Sequence, residues 1–265
     1  MGYSSFVRVF DHSGFVCDVP VKDIYRKQEG EPKFNDLLRR DELPDKVKAE
    51  IVVVSHKDGT QLGTLPYKYE GPVKEDLSKI NFQCADLRYI NFSDCNLTGA
   101  KLTSSLVHEA KFTACNLERA DLNRIHAEHV DFSLADMTEA NLNESYLWKS
   151  KFDMAKMSGT HLVEADLEGC SFEYASMDSC VMRNSIAREA NFSNAVLHSA
   201  DLRHTDMSKT ILKGTDFSKA NMDHADFASA AIEDIVLTDA NTFATGIKEA
   251  ARRQTAATTR KAKLK

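Results

Sequence analysis

The sequence predicts a mainly β fold in which the chain winds as a four-sided coil of about 20 residues per turn, and three periodicities in it predict this. Every fifth position from Leu77 to Leu237, 33 in all and without one insertion, is apolar, and most are Phe, Leu or Met. Two residues before each lies a second series that is small or β-branched, from Ala85 and Cys95 through Ala110, Cys115 and Ala135 to Ala240. The third period is twenty: Phe92, Phe112, Phe132, Phe152, Phe172 and Phe192 form one series, and Leu97, Leu117, Met137, Met157, Met177 and Leu197 another. A helix would scatter a five-residue period around its circumference, and a plain strand would send alternate members to opposite faces. Five residues per side and four sides per turn place each large residue inside, its small companion beside it, and the other three positions outward. Strands stacked about 4.8 Å apart make roughly eight such turns into a rod about 40 Å long.

The units ADLRY, CNLTG, ANLNE, ADLEG, ADLRH and ANMDH resemble the pentapeptide repeat family, whose pattern is Ala, Asp or Asn, Leu and two free positions. The resemblance covers residues 77 to 240. It implies a right-handed quadrilateral β-helix, a handedness that agrees with the rule for parallel crossovers.

Three segments follow from this register. Residues 1–75 read as a small N-terminal domain, a cap or a binding module. SFVRVFDHSGFVCDVP is a hairpin turning near Asp11 to Gly14, and EIVVVSHKDGTQLGTLP is another turning at Asp58 and Gly59. FNDLLRRDELPDKVKAE, between them, is charged and reads as partly helical. Residues 76–240 are the β-helix, and 241–265 a basic C-terminal helix or tail. Open ends of a β-helix expose unpaired strand edges, so both ends are expected to be covered.

Charge is unevenly placed. Acidic residues exceed basic ones by 11 between 76 and 240, whereas 241–265 carry +6 and the first 75 residues −1, giving the net −6. That balance gives no bulk affinity for nucleic acid or anionic membrane, leaving only the basic tail to meet an acidic partner. No apolar run reaches the roughly 20 residues that span a bilayer, and the N-terminus has no signal-peptide pattern. The chain therefore reads as intracellular and cytoplasmic, with a cytoskeletal or ciliary assembly as one setting.

No phosphate loop, zinc spacing or nucleophile elbow occurs, so the expectation is no enzyme, no cofactor and no metal. His204 and His224, one turn apart above Glu144 and Glu164, read as a polar surface ladder sooner than as metal ligands. Cys95 and Cys115, also one turn apart, read as buried thiols sooner than as a disulfide. Lys111, Asp131 and Lys151, and Asn96 on Asn116, are ladders that favour the stack.

Outward positions that ought to be polar and are not give the candidate protein interface. Ala114, Leu134, Met154 and Tyr174 fall in one column; Tyr146 and Trp148 flank Leu147 on an adjoining surface, with Leu106 and Ile186 in the column of Tyr146. Exposed apolar patches mark interfaces, and Trp and Tyr are favoured there. The expected function is a non-enzymatic structural or adaptor rod that binds protein partners, as a dimer or an assembly subunit. The resemblance carries an alternative, an acidic mimic of DNA that binds a type II topoisomerase; Lys111, Lys149, Lys151 and Lys156 interrupt the acidic surface this requires.

Overall fold

In the computed structural model the described residues are 3–11, 14–21, 48–66, 73 and 75–252. From Asp76 onward the outward residue before each large one pairs in parallel with the residue twenty positions on: Asn96 with Asn116, Asn116 with Asp136, Asp136 with Lys156. Two of these contacts lengthen into the short parallel strands Ile211–Lys213 and Ala231–Glu233. Leu97 N donates to Asn116 O at 2.7 Å and Asn116 N to Cys95 O at 3.0 Å, and the same two bonds recur from turn to turn.

The corners explain the period of five. Every fifth residue from Lys79 to Ala244 has a positive φ, between +52° and +67° wherever it is not glycine. At most corners an i to i+3 bond closes the bend, as from Ala100 N to Leu97 O at 2.9 Å. Where a unit has Asp or Asn before its large residue, that side chain steadies the corner by accepting from the amide two residues on, as Asp131 Oδ1 does from Ser133 N at 2.9 Å. Asn side chains also bridge turns: Asn96 Nδ2 donates to Asp76 Oδ1 at 2.9 Å.

Both inward series are buried. The six phenylalanines from Phe92 to Phe192 stack with ring centroids 4.8–5.1 Å apart and planes within 16°. Hydroxyls and thiols at the small position donate to a carbonyl 23 residues earlier, as Ser145 Oγ to Leu122 O at 2.9 Å, Thr215 Oγ1 to Phe192 O at 2.9 Å and Cys115 Sγ to Phe92 O at 2.6 Å, or to the carbonyl three residues earlier, as Ser185 Oγ to Met182 O at 2.7 Å. That satisfaction is why Ser, Thr and Cys substitute for Ala inside. Cys95 and Cys115 are both buried and are not joined in a disulfide, and burial pushes Cys115 up to about 12.

Ahead of the coils lies a four-stranded sheet of β1 (Phe6–Asp11), β2 (Gly14–Pro20), β3 (Lys48–Val54) and β4 (Gln61–Pro66), in the order β2-β1-β3-β4 and antiparallel throughout. Both expected hairpins are present, with Asp11 opposite Gly14 and Gly59 at φ +75°. Lys48 to Glu50, which close the charged stretch expected to be helical only in part, open β3, because Lys48, Ala49 and Glu50 pair with Phe10, Val9 and Arg8. The rest of that stretch lies outside the described residues. The sheet covers the first turn: Ser55 pairs antiparallel with Ala85, His56 N donates to Cys84 O at 2.8 Å and Asp86 N to Val54 O at 2.9 Å. Val7, Val9, Ile51, Val53 and Leu65 join the same buried cluster as Phe82 and Leu87. Asp86 is held by Arg88 through two bonds of 2.8 Å, and Arg88 also reaches Ser4 at 3.1 Å. At the far end a helix over 247–252 buries Ile247 completely in that cluster; the rest of the basic tail lies outside the described residues. No described helix is long and apolar enough to cross a membrane.

Candidate protein-interaction surface

Leu134, Met154 and Tyr174 stand one above another at the corner position, at 53%, 57% and 62% exposure, with the exposed Ala114 completing the column. All four have positive φ, between +56° and +63°. The left-handed conformation costs an L-residue with no local polar side chain about 1–2 kcal/mol, so each of the three large ones combines strain with exposed apolar area. Neither the sheet nor the C-terminal helix covers them. Met154→Gly is expected to raise stability by about 0.5–1 kcal/mol, the relief of strain exceeding the entropy cost of glycine; urea melts measure it. Gly99, Gly159, Gly169 and Gly214 already occupy equivalent corners.

Trp148 stands at the neighbouring corner, beside Lys149 and separated from Met154 by the side that carries Lys151, and Tyr146 lies on the side before that corner. Their neighbours occupy them. The Trp148 ring meets His129 edge-on at 5.1 Å, and Lys149 Nζ lies 4.1 Å from its centroid. Tyr146 stacks on His126 at 4.9 Å and 21°. The column through Tyr146 is not a continuous apolar strip, since His126 and Asp166 alternate with Leu106, Tyr146 and Ile186. His108 and Glu128 form an ion pair alongside. His126 titrates below the ordinary histidine range through burial, with His108 and His56 adding to the effect and Glu128 opposing it. The six interface candidates therefore make two surfaces, of which the Leu134 column is the more exposed.

The remaining ladders are polar. His204 stacks on His224 at 5.2 Å, and Asp223 takes the His224 Nδ1 at 2.8 Å. Among the described residues no group of three or more His, Cys, Asp or Glu side chains is placed to hold a metal ion.

Models of pentapeptide repeat regions match residues 105–180, and of pentapeptide repeats residues 76–113, 175–214 and 208–239. The chain belongs to the pentapeptide repeat family. Among solved pentapeptide repeat folds, full-length QnrB1, a plasmid-mediated fluoroquinolone resistance protein, superposes with a TM-score of 0.54 at 17% identity, over 63% of this chain and 88% of that one. A trypsin-treated form of QnrB1 gives 0.54 at 19% identity, over 69% and 93%. HetL, a pentapeptide repeat protein involved in heterocyst differentiation regulation from the cyanobacterium Nostoc, is 20% identical over 63% of this chain and 87% of its own, with a TM-score of 0.38. At these identities the likeness to QnrB1 is one of fold, and the HetL superposition adds nothing to it. The search of curated proteins finds no match.

Proposed function

We propose that this pentapeptide repeat protein is a non-enzymatic, intracellular rod that binds a protein partner along the Leu134, Met154 and Tyr174 column. In this reading residues 76–240 are a right-handed, four-sided β-helix of about eight turns, and the sheet within 1–75 and the helix within 241–265 are its caps. The supporting observation is that three large apolar side chains stay uncovered at the one position per unit where the backbone penalises them. Nothing in the packing of the rod needs them there, since Glu139, Glu144, Glu164 and Glu189 hold the equivalent corner with φ of +55° to +60°.

The test compares pull-downs with the intact chain and the Leu134→Glu, Met154→Glu, Tyr174→Glu variant, once circular dichroism shows the same fold. Glu is native at equivalent corners, so the variant is expected to fold. Partner recovery is expected to drop about tenfold or more, the scale of losing an apolar hot spot. Equal recovery by both proteins excludes the column as the contact.

The acidity of the rod favours one other reading, a mimic of DNA that binds a type II topoisomerase. Against it, ion pairs between successive turns break the acidic surface into neutral patches: Arg119 with Glu139 at 2.7 Å, Arg124 with Glu144 at 2.7 Å, Lys209 with Glu189 at 3.0 Å. Recovery of a topoisomerase by both proteins in the same pull-down is the outcome that selects it.

A further inference from the structure

A groove of about 520 Å³ runs along another corner of the rod, where the turn between β3 and β4 overhangs it. Its lining comes from two places far apart in sequence. His56 and Lys57 enter from the sheet; Ser104, Arg124, Glu144 and Glu164 rise one above another in the rod, with His126, Tyr146 and Asp166 across the corner from the last three. The His56 ring bonds Ser104 O at 3.0 Å through Nε2, which fixes the overhang on the rod.

Charge is segregated along it. Arg124 and Glu144 neutralise each other through bonds of 2.8 and 3.0 Å. What remains is Lys57 at the sheet end and Glu164 with Asp166 at the other. Asp166 Oδ1 accepts only the Glu168 amide, at 3.1 Å, and no ion pair among the described residues engages Lys57, Glu164 or Asp166. Between the two ends stands Tyr146, half exposed, one ring face resting on His126 and the other turned toward the Asp166 level. From the Ser104 level to the Glu164 level is three turns, about 14 Å, the span of about four extended residues. The volume is within the range of pockets that enclose a ligand.

We propose that this groove binds an extended peptide segment of a partner protein that carries one acidic and one basic side chain three or four residues apart. The acidic group meets Lys57, the basic group lies between Glu164 and Asp166, and the stem of the basic side chain or the peptide plane packs on the exposed part of the Tyr146 ring. A cation held over a Tyr ring beside carboxylates gains both cation–π and ionic attraction. Opposite charges at the two ends select a mixed ligand, because a uniformly charged one meets repulsion at one of them. The site is distinct from the Leu134 column, and it gives the N-terminal sheet a part in recognition as well as in covering the rod.

Fluorescence anisotropy with the full chain tests this, using three short, capped, labelled peptides: one with an Asp and an Arg three residues apart, one with two Asp, one with two Arg. The mixed peptide is expected to bind about tenfold tighter than either uniform one, a difference of about 1.4 kcal/mol. Tyr146→Ala is expected to weaken it about tenfold, and Lys57→Glu to transfer the preference to the two-Arg peptide. The Leu134→Glu, Met154→Glu, Tyr174→Glu variant is expected to bind all three as the intact chain does, which separates this site from the proposed interface. Equal binding of the three peptides, indifference to Lys57→Glu, no binding at millimolar peptide, or spermine competing as well as the mixed peptide each overturns the proposal. Lys57 and Tyr146 are surface residues, and thermal melts confirm that their variants fold.

Discussion

Phe152→Ala is expected to lower the free energy of unfolding by about 4 kcal/mol, in the range for emptying a buried aromatic site. The Phe152 ring has no exposed area and is stacked between Phe132 at 5.1 Å and Phe172 at 4.9 Å, so the substitution removes two ring contacts at once. The cavity has little means of closing. Backbone ladders above and below fix the width of each turn, and the adjoining inward residues, Ser150 and Ala155, are both small and buried. Ala127 shows one form that compensation takes: where that unit has an alanine at the large position, the flanking inward residues are Ile125 and Val130, both buried. Urea denaturation of Phe152→Ala measures the loss. Adding Ala155→Val is expected to restore part of it, and a loss below about 1 kcal/mol, the cost of an exposed or pliable site, would contradict the packing described. Because each turn contacts only its neighbours, hydrogen exchange is expected to quicken first in the turns around residues 132–172 and to leave distant turns protected.

The rod was legible because each unit repeats the same physical problem. A large residue at 92, 112, 132 and onward and a small one two places before it state the interior and its packing, and the Asp or Asn that many units carry between them, as at 91, 131 and 191, is the side chain that steadies the corner. The strain at the corners was less legible. A positive φ is easy to assign at Gly99 or Gly159 and not at Leu134 or Tyr174, where only the register of the neighbouring units reveals it. The start of β3 was not marked in the sequence, because Lys48 and Ala49 have no strand signal of their own and pairing with β1 decides their conformation. The outward placing of Leu134, Met154 and Tyr174 in one column followed from the register, whereas the rings that pack on Tyr146 and Trp148, those of His126 and His129, come from the preceding turn and needed the structure. The groove was not legible at all. Its charge pattern exists only once His56 and Lys57 are laid against residues 104–166, and a repeat encodes contacts at twenty residues, not the docking of a segment outside it.

Val53→Asp is expected to separate the sheet from the rod and to make the protein associate end to end. Val53 lies on a central strand, pairs with Gly63 and is fully buried in the cluster that runs from the sheet into the first turn. An unpartnered carboxylate there costs several kcal/mol, more than a small four-stranded sheet can absorb. Loss of the sheet frees Cys84 O and Asp86 N, which His56 N and Val54 O now occupy, and uncovers Phe82 and Leu87. Among the described residues the hydrogen bonds from the sheet to the rod reach no further than Ser104, so the rest of the rod stays folded and presents a paired, rigid, unblunted strand edge of the kind that templates association. Light scattering after gel filtration is expected to show oligomers that grow with concentration, while circular dichroism retains most of the β signal. Val53→Ala, which leaves no charge, is expected to lower stability by about 2 kcal/mol and to stay in the association state of the parent chain. A Val53→Asp protein that keeps the parent's state with its β signal intact would mean that the sheet is dispensable to the rod. The open edge would then have to be blunted by something other than β3.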